Sequence, residues 1–189
     1  MKRWIRKSFL YRWIAKFLTW FGDIRVDFDP PATRARHFRK LLKLAEPGDV
    51  ICRKYDCYVD SVFIEGEYTH SGILTHKDKV THSIAEGVVS HDVLDFVLDT
   101  EGFILLRPKY NSEQNVINST KFAENQIGKP YDFLFDMREK DSFYCHELTA
   151  GALGAGNLKV TPKKSIIYAS DIFPLCNVVY ESDKDFFDD

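Results

Sequence analysis

The chain has no surplus of positive charge: 26 Lys and Arg stand against 28 Asp and Glu, a formal net charge of −2. General nucleic-acid binders carry an excess of Lys and Arg, so nucleic acid is not an expected partner. No uncharged run approaches the ~20 residues that a membrane-spanning helix needs. A signal peptide is not expected either, because a positive charge interrupts the apolar residues every few positions between Met1 and Asp23. Cysteine is scarce. Cys52, Cys57, Cys145 and Cys176 are too few and too scattered for a disulfide scaffold. Without a second pair, Cys52 and Cys57 make a poor zinc signature. Gly-rich phosphate loops and His-Glu-x-x-His motifs are missing, so neither a metal nor a cofactor is expected. A reducing, cytoplasmic setting follows most simply.

What is present reads as one globular domain. The length of 189 residues suffices for one full core, and 44% hydrophobic with 29% charged residues is an ordinary folded composition. Residues 1–46 form a basic, aromatic, helical segment, with Trp4, Phe9, Trp13, Phe17 and Trp20 interleaved among Lys2, Arg3, Arg6, Arg12 and Lys16. Apolar residues spread around most of that first helix. It is expected to pack back on its own domain; the competing readings for residues 1–28 are peripheral contact with a membrane and docking to a partner. Residues 32–45 predict a second helix, capped by Thr33, with Phe38, Leu41, Leu42 and Leu44 turned inward. At the other end, residues 181–189 read as a frayed acidic tail.

From Pro47-Gly48 the pattern becomes strand-like. Short apolar runs begin at Val50, Ser71, Val80, Gly87 and Phe103, and a polar hairpin turn spans 76–79. A short helix is expected between Asp92 and Leu98, and another capped by Asn118 or Ser119 and running through Ile127. Strands flanked by helices predict an α+β domain over residues 47–180, an antiparallel sheet or half-barrel packed against the helix that starts at Cys145.

Cys145 follows two aromatics and opens the apolar run from Leu148 to Leu153. At a helix N-terminus a thiol meets unpaired N–H groups and the positive end of the dipole, which predicts a value below the ~8.5 of a free thiol. Cys145 is therefore the candidate nucleophile and His70, on a short strand before Ser71-Gly72, the candidate general base. His82 lies twelve residues after His70 on the returning strand, so a symmetrical hairpin places the two rings side by side on one face. His82 is expected to orient His70, with Glu86 as the alternative. Glu147, Tyr144, Tyr131 and Asp132 are candidate substrate-binding or pocket-wall groups; His76 and His37 are expected to be solvated, and Cys52, Cys57 and Cys176 structural.

Five motifs in order carry a resemblance: Pro47-Gly48-Asp49-Val50-Ile51, Thr69-His70-Ser71-Gly72-Ile73, Ala85-Glu86-Gly87-Val88, Gly128-Lys129-Pro130-Tyr131-Asp132-Phe133 and Tyr144-Cys145-His146-Glu147-Leu148. Together, over roughly residues 47–175, they resemble the permuted papain-like amidases of the YiiX/YaeF group within the NlpC-type superfamily. The resemblance implies a cysteine hydrolase that cleaves an amide through a thioester acyl-enzyme, acting on a small molecule, a peptide or a lipid. A membrane-surface lipid acyltransferase or phospholipase and a non-catalytic binding module are the alternatives on the same scaffold. Two positions depart from the family pattern. His146 replaces a small serine, which bears on pocket size. The residue at His82 is commonly glutamate in those amidases and histidine in the related lecithin retinol acyltransferase-like proteins. A neutral histidine cannot stabilise an imidazolium as a carboxylate does.

Overall fold

Apolar runs bounded by turn residues build six strands that pair into one antiparallel sheet, in the order β4-β3-β2-β1-β5-β6. The structure, a computed structural model, describes residues 33–54, 66–98, 100–138 and 140–183 together with Trp13, Lys16 and Phe17. In chain order the elements are α1 (Ala35–Leu44), β1 (Val50–Lys54), β2 (His70–His76), β3 (Lys79–Ile84), β4 (Gly87–Asp92), α2 (Val93–Val97), β5 (Gly102–Pro108), α3 (Glu113–Glu124), α4 (Cys145–Ala155), α5 (Ala169–Ile172) and β6 (Cys176–Glu181). The α+β class and the sheet packed on the Cys145 helix are as the sequence predicts.

Both faces of the central strands are covered, and strand alternation assigns residues to each. Ile51, Leu74, Val80, Phe103 and Leu105 pack with Leu41 of α1 and with Val93, Phe96 and Val97 of α2. On the other face Val50, Cys52, Ile104 and Leu106 pack with Tyr144, Ala150 and Leu153, while Ile73 meets Ala123 and Ala152. The sheet is thus a septum between a layer of α1 and α2 and a layer of α3 and α4.

Several local expectations change. Ser112, not Asn118 or Ser119, caps α3, its side chain accepting from Asn115 N–H; Ser119 lies buried within the helix and accepts from the Tyr110 hydroxyl at 2.8 Å. Arg34 is the first-turn cap of α1, and Thr33 instead donates to the Thr100 carbonyl at 3.3 Å. His37 is buried, its Nδ1 accepting from Arg34 N–H at 3.1 Å, so it caps the helix and is not solvated. Leu42 faces outward, but Leu41 and Ala45 are part of the sheet core, so α1 belongs to the domain. The C-terminal boundary moves as well. Glu181 ends a strand, and the buried Ser182 hydroxyl accepts from Phe103 N–H at 2.8 Å, so the tail does not begin at 181. The expected helix over residues 1–28 lies outside the described residues apart from Trp13, Lys16 and Phe17, which are helical and exposed, with the two rings stacked at 6.1 Å.

Candidate active site

The hairpin that carries His70 and His82 turns at Lys77-Asp78, within the expected span. It is not symmetrical. A bulge between Leu74 and His76 sets the register so that His82 faces Gly72, which makes His70 its diagonal neighbour. Side chains two apart on one face still reach each other when they are long and planar. His70 Nε2 and His82 Nδ1 are 2.9 Å apart, with the rings edge to face. Gly72 makes this arrangement possible. A Cβ there would come within 2.6 Å of Val80 and 3.0 Å of His82 Cβ.

This face of the sheet is closed by Phe96 of α2, whose ring centroid lies 5.5 Å from His70 and 4.9 Å from His82. Arg53, opposite His70 on β1, lays its guanidinium over the same phenyl ring at 4.4 Å. Burial first, then the Arg53 charge and the neighbouring rings, hold both imidazoles well below the ordinary histidine range. Both are neutral at physiological pH.

The helix on the other side of the strand starts at Cys145 for local reasons. Tyr144 is extended, at φ −88° and ψ 170°, and the Glu147 carboxylate reaches back to accept its N–H at 3.4 Å. Beyond the first turn nearly every residue to Leu153 is buried, as expected of a helix apolar on all sides. Cys145 is 2% exposed. Its sulfur rests against the strand that carries His70, 3.9 Å from the Thr69 carbonyl on one side, with the Ser71 N–H directed at it on the other. The N–H groups of Cys145 and His146 also point at the sulfur and favour thiolate. Burial outweighs them. The thiol is pushed up to about 11, which corrects the expectation of a value below that of a free thiol. No hydrogen bond joins the sulfur to the His70 ring; the two groups adjoin through the strand backbone, and His70 Nδ1 has no hydrogen-bond partner among the described residues.

His146 turns inward beside Cys145. Its Nδ1 shares a 2.7 Å hydrogen bond with the Ser71 hydroxyl, which also meets the Thr149 hydroxyl at 2.9 Å. Burial pushes its imidazole down to about 4, and Nε2 is buried without a partner.

The remaining candidates divide. Glu147 caps α4. Tyr144 is buried in the core, its hydroxyl accepting from Ile167 N–H at 2.7 Å and its ring against Phe135. Asp132 is fully buried and its carboxylate accepts from Leu134 and Asp136 N–H groups at 3.1 and 2.6 Å, which folds the loop below the site. Tyr131 bridges to Phe143, and its ring lies tilted against Phe133 at 4.8 Å. All four hold the scaffold around Cys145. Glu86 is exposed in the β3–β4 turn and does not reach the histidines. His76 is exposed, as expected, and pairs with Glu124 at 3.3 Å. Cys52 and Cys176 are buried and free; Cys57 lies outside the described residues.

Two side chains that matter to the site escape sequence reading. Arg53 gives no motif signal at all. His91 on the exposed edge strand β4 looks solvated, but its Nδ1 lies 3.1 Å from His82 Nε2. The Ala85-Glu86 turn held the clue. Pairing across it sets Val80 opposite His91, two residues from His82 and on the same face.

No described residues form a group of three or more His, Cys, Asp or Glu side chains able to hold a metal ion. The three histidines bond ring to ring, so their nitrogens do not converge on a common point. No described helix is long and apolar enough to cross a membrane.

Comparison with solved structures finds a crystal structure described as metalloprotein yiiX from Escherichia coli O157:H7, similar with a TM-score of 0.62 at 17% identity, covering 73% of this chain and 98% of that one. At that identity the likeness is one of fold. A comparison with curated proteins finds no match. The family profile of the permuted papain-like amidase enzymes, the YaeF/YiiX or C92 peptidase family, matches residues 44–172, from the end of α1 through α5. With two thirds of its length under that profile, and with the sheet and the Cys145 helix arranged as described, this chain belongs to the permuted papain-like amidases, a family of cysteine hydrolases.

Proposed function

We propose that the chain hydrolyses an amide bond through a thioester on Cys145, with His70 as general base and His82 as the group that orients it. The observation that carries this reading is the seat of the sulfur, at the first residue of α4, ringed by backbone N–H groups and pressed against the strand between Thr69 and Ser71. His70 Nε2 is engaged by His82, which leaves Nδ1 as the nitrogen for the thiol proton. As the sulfur attacks the carbonyl, that proton moves from sulfur to Nδ1. Negative charge gathers on the carbonyl oxygen near the helix start, where the Cys145 N–H is a donor. The C–N bond then breaks, and the amine leaves with the proton from His70. Water attacks the thioester, His70 again taking the proton, and the acid and free thiol result.

The resting pair is neutral: burial holds the thiol high and the imidazole low. The thiolate is thus made during attack and not stored, which fits a general-base mechanism. Purified protein assayed against amide, ester and thioester substrates tests the assignment. Turnover that disappears in both Cys145→Ala and His70→Ala supports it; full activity in either ends it.

A second reading places the same chemistry on a lipid. Trp13 and Phe17 are exposed beside Lys16, and Leu134 and Phe135, the latter against Tyr144, are exposed in the loop below the site. Co-sedimentation of the full chain with anionic vesicles, lost when Trp13 and Phe17 become Ala, would favour it.

A further inference from the structure

We propose that His91 is the outer member of a three-histidine proton relay, and that it carries to solvent the positive charge His70 acquires when Cys145 is activated. The inference rests on the role given to His70 above. Three rings line one face of the sheet on consecutive strands: His70 on β2, His82 on β3 and His91 on the edge strand β4. Two contacts connect them, His70 Nε2 to His82 Nδ1 at 2.9 Å and His82 Nε2 to His91 Nδ1 at 3.1 Å. Phe96 packs on the first two rings, and only His91 is exposed.

A neutral imidazole has one N–H and one acceptor nitrogen. When His70 Nδ1 is the acceptor for the thiol, its Nε2–H donates to His82 Nδ1, and His82 Nε2–H donates to His91 Nδ1. His91 Nε2–H then faces water. In the reverse arrangement His70 Nδ1 carries the N–H and cannot take the thiol proton, so only the first arrangement serves the step proposed above. On attack, one proton moves from Cys145 sulfur to His70 Nδ1, one from His70 Nε2 to His82 Nδ1 and one from His82 Nε2 to His91 Nδ1. The net result of the proton movement is a thiolate and an imidazolium at position 91, and as the C–S bond closes the negative charge passes to the carbonyl oxygen. The reverse sequence returns a proton to the leaving amine.

The surroundings favour that separation. Arg53 from β1 faces the inner rings, attracting the thiolate and repelling an imidazolium at His70 or His82; His146 from α4 also faces His70. At the outer end Lys79 and Asp92 pair with each other at 3.8 Å, beside His91 along the strand.

The test uses the full chain with a substrate it turns over. His91→Gln keeps an acceptor for His82 but cannot carry the proton; it should lower kcat about 10-fold with KM nearly unchanged. His91→Ala should fall as far and recover with millimolar imidazole, while His91→Gln should not. Full kcat in His91→Gln, or no imidazole rescue of His91→Ala, would overturn the relay. Long-range 1H–15N spectra of the imidazoles provide a readout independent of activity. The His70 and His82 ring signals should shift in His91→Gln, and unchanged signals would refute the coupling. Should Cys145→Ala retain turnover, the proposed function fails on its own, and the spectra still decide whether the row exists.

Discussion

Two buried polar clusters sit at opposite ends of β1, and they are built on opposite principles. At its start Asp49 is closed: its carboxylate accepts from Arg107 Nε and Nη2 at 2.9 and 2.8 Å and from Glu46 N–H at 3.0 Å, while Arg107 also donates to the Leu44 carbonyl. At its end, across from Arg53, the histidine row is open. His70 Nδ1 makes no hydrogen bond among the described residues, His146 Nε2 is buried without one, and the Cys145 thiol donates only over a long contact to the Thr69 carbonyl while backbone N–H groups point at its sulfur. A satisfied network fixes the fold and has nothing left to offer a substrate. An unsatisfied one costs stability and keeps the capacity for chemistry. The contrast separates structure from function within one strand.

That contrast can be broken by mutation. The largest effect should come from Cys145→Ala, which should lower turnover at least about 1,000-fold while the melting temperature moves by less than about 5 °C. His82→Ala should cost about 10- to 100-fold in kcat, because the free His70 ring can rotate away from the sulfur. His82→Glu should be tolerated better, and steady-state kinetics would check both. Asp49→Asn should do the reverse. It should leave kcat unchanged and destabilise the protein by about 2 kcal/mol, below the range for a fully buried pair because Arg107 is 36% exposed; urea unfolding measures it.

Acid should act through the open cluster. His70, His82 and His146 have folded-state values below the ~6.5 of an unfolded histidine, so the unfolded chain binds more protons as pH falls below that point. Their neutral burial is fully tolerated above ~6.5, and stability declines as pH falls from there toward the folded values. Alkylation of Cys145 by iodoacetamide should keep rising above pH 9, since the thiol lies up at about 11; a plateau near 8.5 would contradict the burial argument. The smallest effect is expected of Glu86→Gln, which should leave kcat as it is.

Much of this was legible in the residues. Val50, Ser71, Val80, Gly87 and Phe103 each mark a strand that forms, since alternating burial and turn residues are local signals. Cys145 at a helix start and the His70–His82 contact follow from local spacing too, although a bulge makes them diagonal instead of opposite. What the sequence hid depends on tertiary contact. β6 is six residues with Asn177 and Val178 exposed, and only pairing with β5 makes it a strand. The high thiol value hid as well, because helix-start chemistry is local and burial is not.

The most direct test is to look for the acyl-enzyme. The protein, incubated with an activated acyl ester and quenched in acid, should yield by peptide mass spectrometry a thioester on Cys145 that accumulates in the wild type and is lost in His70→Ala. An acyl group on any other residue, or turnover with Cys145 replaced by alanine, would contradict the account.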